Sequence, residues 1–354
     1  MKRKIDMKGV HPISRKLVSW YNIHKRQLPW RDITDPYRIW LSEIILQQTQ
    51  VVQGLSYYLK FTEHFPTVSA LADAPEDTVM RLWQGLGYYS RARNLHAAAK
   101  YVKEQHGGKF PTSYAGIKEL KGVGDYTAAA IASFAYDLPH AVLDGNVYRV
   151  LSRLFDLHTP INSTQGKKEF QLLADELLDP KRAALHNSAM MEFGALWCKP
   201  QNPKCETCVL QEHCMAFRNG TVAQLPVKDK KGRIRNRYFH YIIFNYKDAV
   251  YIRKRSAKDI WQNLYEFYLI ETERPEPEEL ILNHPDLRKL VPEFNVLRIT
   301  SLKKHILSHQ HLFGTFYELS LKQALKDKAF LRVKRTDLMH YGLPQLIIKY
   351  LAGT

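Results

Sequence analysis

At 354 residues the chain is long for a single domain, and its 52 Lys and Arg against 35 Asp and Glu leave a formal net charge of +17. A field of that sign attracts polyanions, with nucleic acid the stronger choice and an acidic membrane face the weaker. No apolar run reaches the roughly eighteen residues of a spanning helix, and Met1–Val10 has a basic start with no apolar core behind it, so no membrane association and no signal peptide are expected, and the expected compartment is the cytoplasm.

Apolar periodicity with caps runs to about Arg218 and reads as helical. Its first sharp start signal is Asp35-Pro36, an N-cap aspartate ahead of a proline at the first helical position. Ile39, Trp40, Leu41, Ile44, Ile45 and Leu46 then surround the helix axis, so this helix should be buried on nearly every side, yet Glu43 sits in its middle. A carboxyl group there is desolvated and its pKa rises, which holds a proton ready for general acid catalysis near neutral pH. A structural ion pair is the plainer role for a lone helical glutamate.

Between the helical patterns Ser113–Lys118 and Thr127–Phe134 lies Leu120-Lys121-Gly122-Val123-Gly124-Asp125-Tyr126-Thr127. Gly122 and Gly124 permit a tight turn with close backbone approach, and Gly122, Val123 and Gly124 end at a helix start whose amides suit a phosphate; a plain helix-helix turn has the same signature. Next, Asp144-Gly145-Asn146-Val147 brackets a glycine in front of another helix, where Asp144 could serve simply as an N-cap. All four cysteines come after it in one run, Cys198, Cys205, Cys208 and Cys214. That run is too compact for two good disulfides and reads as a thiolate cage for either zinc or an iron-sulfur cluster, with a slight tilt to the cluster.

Residues 219–237 carry Lys228, Lys230, Lys231, Arg233, Arg235 and Arg237 with little apolar content, the composition of a solvated linker or of an arm that tracks phosphates. From Tyr238 the runs YFHYIIF, AVYIRK and LYEFYLI alternate as strands do, and Pro275–Glu279 reads as a turn into a helix. The fold class is therefore multidomain: an all-α region over 1–218, a linker over 219–237 and an α+β region over 238–354.

The buried glutamate helix carrying Gln47-Gln48-Thr49-Gln50, the glycine hairpin at about 113–134, the aspartate after it and the four-Cys loop stand in the order of the helix-hairpin-helix DNA glycosylases. Leu28-Pro29-Trp30-Arg31, Trp40–Gln50, Gly85–Asn94 and Asp144-Gly145-Asn146-Val147 make the chain resemble the MutY family of adenine DNA glycosylases over essentially its whole length. The resemblance implies one 4Fe-4S cluster on the four cysteines, a monovalent cation seat at the hairpin and a monomer. It also implies base excision repair on double-stranded DNA carrying adenine opposite 8-oxoguanine or guanine, and nucleoid association in a bacterium. By the same resemblance Glu43 protonates adenine N7, Asp144 stabilises or traps the oxocarbenium-like sugar, and Tyr126 and Asn146 orient them. Gln48 and Tyr88 wedge the stack, Thr49 and Leu86 face the orphaned lesion base, and Arg31 and Leu46 line the adenine pocket.

The bifunctional endonuclease III branch carries an attacking lysine where this chain has Tyr126, and a phenol cannot form a Schiff base; base removal without strong lyase chemistry is expected, with any nicking through Lys121 slow. Trp261–Phe267 resembles the signature of a nudix-like domain whose magnesium-binding box is missing after Glu271, so that domain should recognise and not hydrolyse. Leu307-Ser308-His309 stands where the family usually has Phe-Ser-His; the lost aromatic face is worth about 1–3 kcal/mol when it stacks on a base. Ser188 is a second departure, at a position aligned with a polar contact to adenine. Two other functions stay open from the sequence, an endonuclease III-like glycosylase/AP lyase and a non-catalytic DNA-binding protein.

Overall fold

A computed structural model describes residues 10–229, 234–302 and 304–353. The chain divides into two compact units, and the division is not the linear one expected: Leu59–Phe61 and Asp73–His96 group with the C-terminal part. Polar ties within that unit explain the grouping. Asn263 Nδ2 donates to Glu76 Oε1 at 2.5 Å, Lys254 Nζ and Tyr265 Oη reach the Asp77 carboxylate at 2.6 and 3.1 Å, and Arg93 Nη1 donates to the Gln262 carbonyl at 2.8 Å.

The first unit is helical. Asp35 caps the Pro36–Leu46 helix by accepting from the amides of Tyr37 and Arg38, with Pro36 opening its first turn. Ile39, Trp40, Leu41, Ile44 and Ile45 are buried, as the all-round apolar pattern requires. The helix stops at Leu46, so Gln47–Gln50 is not helical; Gln48 takes a left-handed φ of 55° and turns the chain into Val51–His64. The hairpin pairs Tyr114–Lys118, capped by Ser113, with Asp125–Tyr136. Gly145–Phe155, Thr164–Leu177 and Ala183–Leu196 complete the core-forming helices, joining Trp20, Val150, Leu151, Phe170 and Phe193 in one apolar cluster.

The second unit holds a mixed sheet: β1 (Arg235–Tyr246), β2 (Ala249–Lys254), β3 (Tyr265–Glu266), β4 (Tyr268–Thr272), β5 (Phe294–Ser301), β6 (His305–Ile306), β7 (Gln310–Leu321) and β8 (Leu331–Lys334). Its main path runs β3-β2-β1-β7-β5, with β1 and β7 parallel from Arg235↔Gln310 to Asn245↔Ser320. The single strand expected over LYEFYLI is two, because the run changes partner at Phe267: Glu266 pairs Arg253 of β2 and Tyr268 pairs Ile242 of β1. One face buries Ile242, Phe244, Tyr251, Tyr317 and Leu319. Elsewhere in the unit the Gln345–Ala352 helix stacks Tyr350 on Phe316 with ring centroids 4.0 Å apart.

The linker expectation is corrected at its far end. Arg235 and Arg237 belong to β1, and Arg237 is 5% exposed, clamped by Glu271 and Asp259 at 2.6 Å each. Two carboxylates outweigh solvation for a guanidinium whose fork both can fill. Lys230, Lys231 and Arg233 lie outside the described residues, and Lys228 is exposed. The Pro275–Glu279 turn does lead into a helix, Glu278–Leu282.

Candidate active site

A cleft of about 1720 Å³ in the helical unit is lined by Arg31, Glu43, Leu46, Gln48, Thr49, Tyr126, Asp144 and Asn146 among others, so residues far apart in sequence converge there. Glu43 is 8% exposed and accepts a 2.7 Å hydrogen bond from the Tyr126 hydroxyl. Burial pushes its carboxyl above the usual range; the Tyr126 bond and the charge of Arg31 pull it down, and Asp144 pushes it up again. Burial and the two carboxyls raise the Tyr126 phenol well above its ordinary range, so it stays a donor.

Asp144 is the N-cap of Gly145–Phe155. One of its oxygens accepts from the amides of Asn146 and Val147 at 2.9 and 2.7 Å, and the other accepts from Asn146 Nδ2 at 2.7 Å. Burial raises this carboxyl too, against those three donors and the Arg149 charge, which favour its ionised form. Three N–H donors at a helix start against one phenol make Asp144 the better anion of the two and Glu43 the better acid. The N-cap placement read from sequence is observed, and it sets the Asp144 carboxyl in the same cleft as Glu43.

Sequence reasoning missed the residues that fix this geometry. Arg149 donates to Asn146 Oδ1 at 2.8 Å and to the carbonyls of Gly194 and Cys198 at 2.7 Å each. One turn on, Arg153 donates to the Lys199 carbonyl at 2.7 Å and to Cys198 Sγ at 3.4 Å. Both are buried. The available signal was two arginines four apart on the apolar face of one helix, which need a dense set of acceptors. Asn187 holds the approach to Asp144 by taking the Val142 amide at 3.2 Å and donating to the His140 carbonyl at 2.8 Å. Ser188, the expected departure, accepts from Arg31 Nη1 at 3.2 Å.

At the hairpin only Gly122 has positive φ, at 83°; Gly124 is extended and caps Asp125–Tyr136. A Cβ on Gly124 would meet nothing within 4 Å, so no protein packing demands glycine there and the space in front of the helix start is open. Val123 is buried, and Lys121 is exposed in the turn.

The four cysteines lie half-buried in one loop, and the thiols of Cys198, Cys205, Cys208 and Cys214 act on one another electrostatically. Burial pushes Cys208 up to about 11, and raises Cys205 and Cys214 as well. Among the described residues no three His, Cys, Asp or Glu side chains form a closed ligand group for a single metal ion. The donor set, four sulfurs with a guanidinium on one of them, fits a centre of net negative charge held by thiolates.

In the second unit Tyr88, at φ 47° and 40% exposed, is hydrogen-bonded to Ser308 through their hydroxyls. His309 is exposed and Leu307 partly so. Leu86 is 6% exposed, its amide donating to the Trp83 carbonyl at 3.1 Å and its carbonyl accepting from Arg91 Nη2 at 3.3 Å.

Residues 41–178 match the HhH-GPD superfamily of base excision DNA repair proteins, residues 198–214 the iron-sulfur binding domain of endonuclease III, and residues 239–353 a NUDIX domain. Among solved structures the chain is similar to a thermostable thymine-DNA glycosylase, at 29% identity and a TM-score of 0.55 over 58% of this chain and 95% of that one. It shares its fold with a trapped endonuclease III–DNA covalent intermediate, at 19% identity and a TM-score of 0.51 over 58% and 94%. The adenine DNA glycosylase of Schizosaccharomyces pombe is 29% identical over 96% of this chain and 88% of its own, and that of Homo sapiens 41% over 60% and 40%. With 36% identity to the adenine DNA glycosylase of Buchnera aphidicola subsp. Baizongia pistaciae over 84% of this chain and 83% of that one, the chain belongs to the adenine DNA glycosylases, hydrolases of N-glycosyl bonds.

Proposed function

We propose that this chain removes adenine paired with 8-oxoguanine or guanine from double-stranded DNA and leaves the strand intact. The observation that carries the reading is the buried Glu43 carboxyl under the Tyr126 hydroxyl, facing the same cleft as an Asp144 held by three N–H donors. Adenine must leave the stack to reach such a cleft, at a cost of a few kcal/mol that contacts elsewhere on the duplex offset. Glu43 then gives its proton to the base at N7, and electron density in the breaking N-glycosidic bond leaves with the base. Asp144 faces the positive character left on the sugar and either stabilises it or bonds to it until water arrives. Asn146 holds the second Asp144 oxygen, and Tyr126 keeps Glu43 oriented.

No amine stands at position 126, which supports hydrolysis over Schiff-base chemistry. Gln48 and Tyr88 serve as wedges, both exposed and both on left-handed backbone that tertiary structure must enforce. Arg31 and Leu46 take the base, Thr49 and Leu86 the orphaned partner, and Leu307, Ser308 and His309 read 8-oxoguanine. Gly122, Val123 and Gly124 seat a phosphate, with a monovalent cation, at the open helix start. Cys198, Cys205, Cys208 and Cys214 hold a 4Fe-4S cluster, which supplies a fixed charge centre that organises the loop. The protein acts as a monomer, in a bacterium on the nucleoid.

The test is single-turnover cleavage of a duplex with adenine opposite 8-oxoguanine, with and without alkali, for the native chain and Glu43→Gln. Cleavage that needs alkali and disappears in the variant is the expected result. Strand breaks without alkali would overturn the hydrolytic reading, and binding without any base loss would overturn the enzymatic one.

A further inference from the structure

Glu192 lines the cleft with a side chain 1% exposed, and its oxygens are fully engaged. Oε1 accepts from the Arg26 amide at 3.0 Å and from Arg26 Nε at 2.7 Å, Oε2 accepts from Arg26 Nη2 at 2.8 Å, and Arg31 Nη2 lies 3.7 Å from Oε2. Burying a carboxylate carries a desolvation cost, which the three Arg26 donors and the nearby Arg31 charge offset here. Arg31 is 13% exposed, its ring neighbour is Phe134 at 5.8 Å, and its charge reaches Glu43.

We propose that Glu192 is a positioning residue of the base-excision site: it fixes Arg26 and Arg31 at the cleft wall and offsets the Arg31 charge that would otherwise draw the proton off Glu43. This rests on the assignment of Glu43 as the acid. The groups that face Glu43 are Arg31 from the segment before Pro36–Leu46, Tyr126 from the hairpin helix and Asp144 from the start of Gly145–Phe155, with Arg149 acting on Asp144. Of these only Arg31 is a cation bearing on Glu43 itself, and Glu192 is its ionic partner. Burial alone would raise the Glu192 carboxyl; the bonds and charges of Arg26 and Arg31 hold it below the usual carboxylate range, so its negative charge persists wherever the enzyme works.

The experiment is the pH profile of single-turnover adenine release for four proteins: native, Glu192→Gln, Glu192→Asp and Arg31→Gln. An uncompensated Arg31 disfavours protonated Glu43, so Glu192→Gln should move the basic limb to lower pH by about one unit, a nearly tenfold loss of rate above the limb. Glu192→Asp keeps the charge, and its limb should stay in place even where the rate drops. Arg31→Gln removes the offending cation, and its limb should move the other way. A Glu192→Gln rate reduced evenly at all pH values, with its limb unmoved, would overturn the proposal and leave a packing role. If Glu192→Gln does not fold, an Arg31→Gln limb that stays put or moves down would overturn it equally. A native chain that releases no adenine would instead sink the assignment of Glu43.

Discussion

The proposed use of Glu43 as an acid runs against the stability of the fold. A carboxyl whose folded pKa is raised contributes stability at low pH that is lost as pH climbs through the ordinary carboxylate value and on through the raised one, at about 1.4 kcal/mol for every tenfold difference in proton affinity between folded and unfolded chain. Glu43→Gln keeps an acceptor for Tyr126 and never ionises. It should therefore melt higher than the native chain at mildly alkaline pH, with the gap closing in acid, while losing on the order of 10²–10⁴ in single-turnover rate. Thermal melts at several pH values check the first half, and an equal gap at all of them would contradict the burial argument. Ser308 bonds to Tyr88, and on the proposed reading of 8-oxoguanine Ser308→Ala should lower excision opposite 8-oxoguanine more than excision opposite guanine, read as the ratio of the two single-turnover rates.

One helix, Ala183–Leu196, holds several cleft-lining segments in place. Asn187 holds the segment before Asp144, Glu192 holds Arg26 and Arg31, and the Gly194 carbonyl receives Arg149. Gly194 is small by necessity: a Cβ there would lie 2.7 Å from Asn146 Cβ and 2.9 Å from its carbonyl oxygen. Gly194→Ala should cost about 1–3 kcal/mol of stability by pushing on backbone, and should slow base release beyond that by displacing Asn146. The crossing helix Gly145–Phe155 links Asp144 at its start to the cysteine loop through Arg149 and Arg153. Arg149→Met would strand buried carbonyls of Gly194 and Cys198, each worth about 1–3 kcal/mol when unsatisfied. Lower melting temperature, lower iron content and slower excision are expected together; loss of activity with iron content and melting intact would contradict the link.

For the whole molecule, the grouping of Asp73–His96 with the C-terminal sheet means that a cut in the basic segment does not separate two self-sufficient parts. A fragment of residues 238–354 loses the partners of Lys254, Gln262, Asn263 and Tyr265, and also Arg237, whose fork holds Asp259 and Glu271. It should melt well below the same unit in the full chain and bind apolar dyes; an equally stable fragment would show those ties to be incidental. Among the described residues no helix is long and apolar enough to cross a membrane.

The local signals in the sequence held because they are local. Asp35-Pro36 starts a helix wherever it stands, an apolar run around every side of an axis has to be buried, and Asp144 caps the helix it precedes. Motif order carried the family for the same reason, since each motif is a short contiguous stretch. What the sequence could not display is which distant groups share a cleft or a pair: Arg149 with Asn146 and Cys198, Glu192 with Arg26 and Arg31, Tyr88 with Ser308. Nor could it show that Leu86 turns inward, that LYEFYLI changes partner at Phe267, or that Arg237 is a buried strand residue and not part of a solvated arm. Composition and periodicity are properties of neighbours along the chain, whereas ion pairing and desolvation depend on neighbours in space, and only the folded chain decides those.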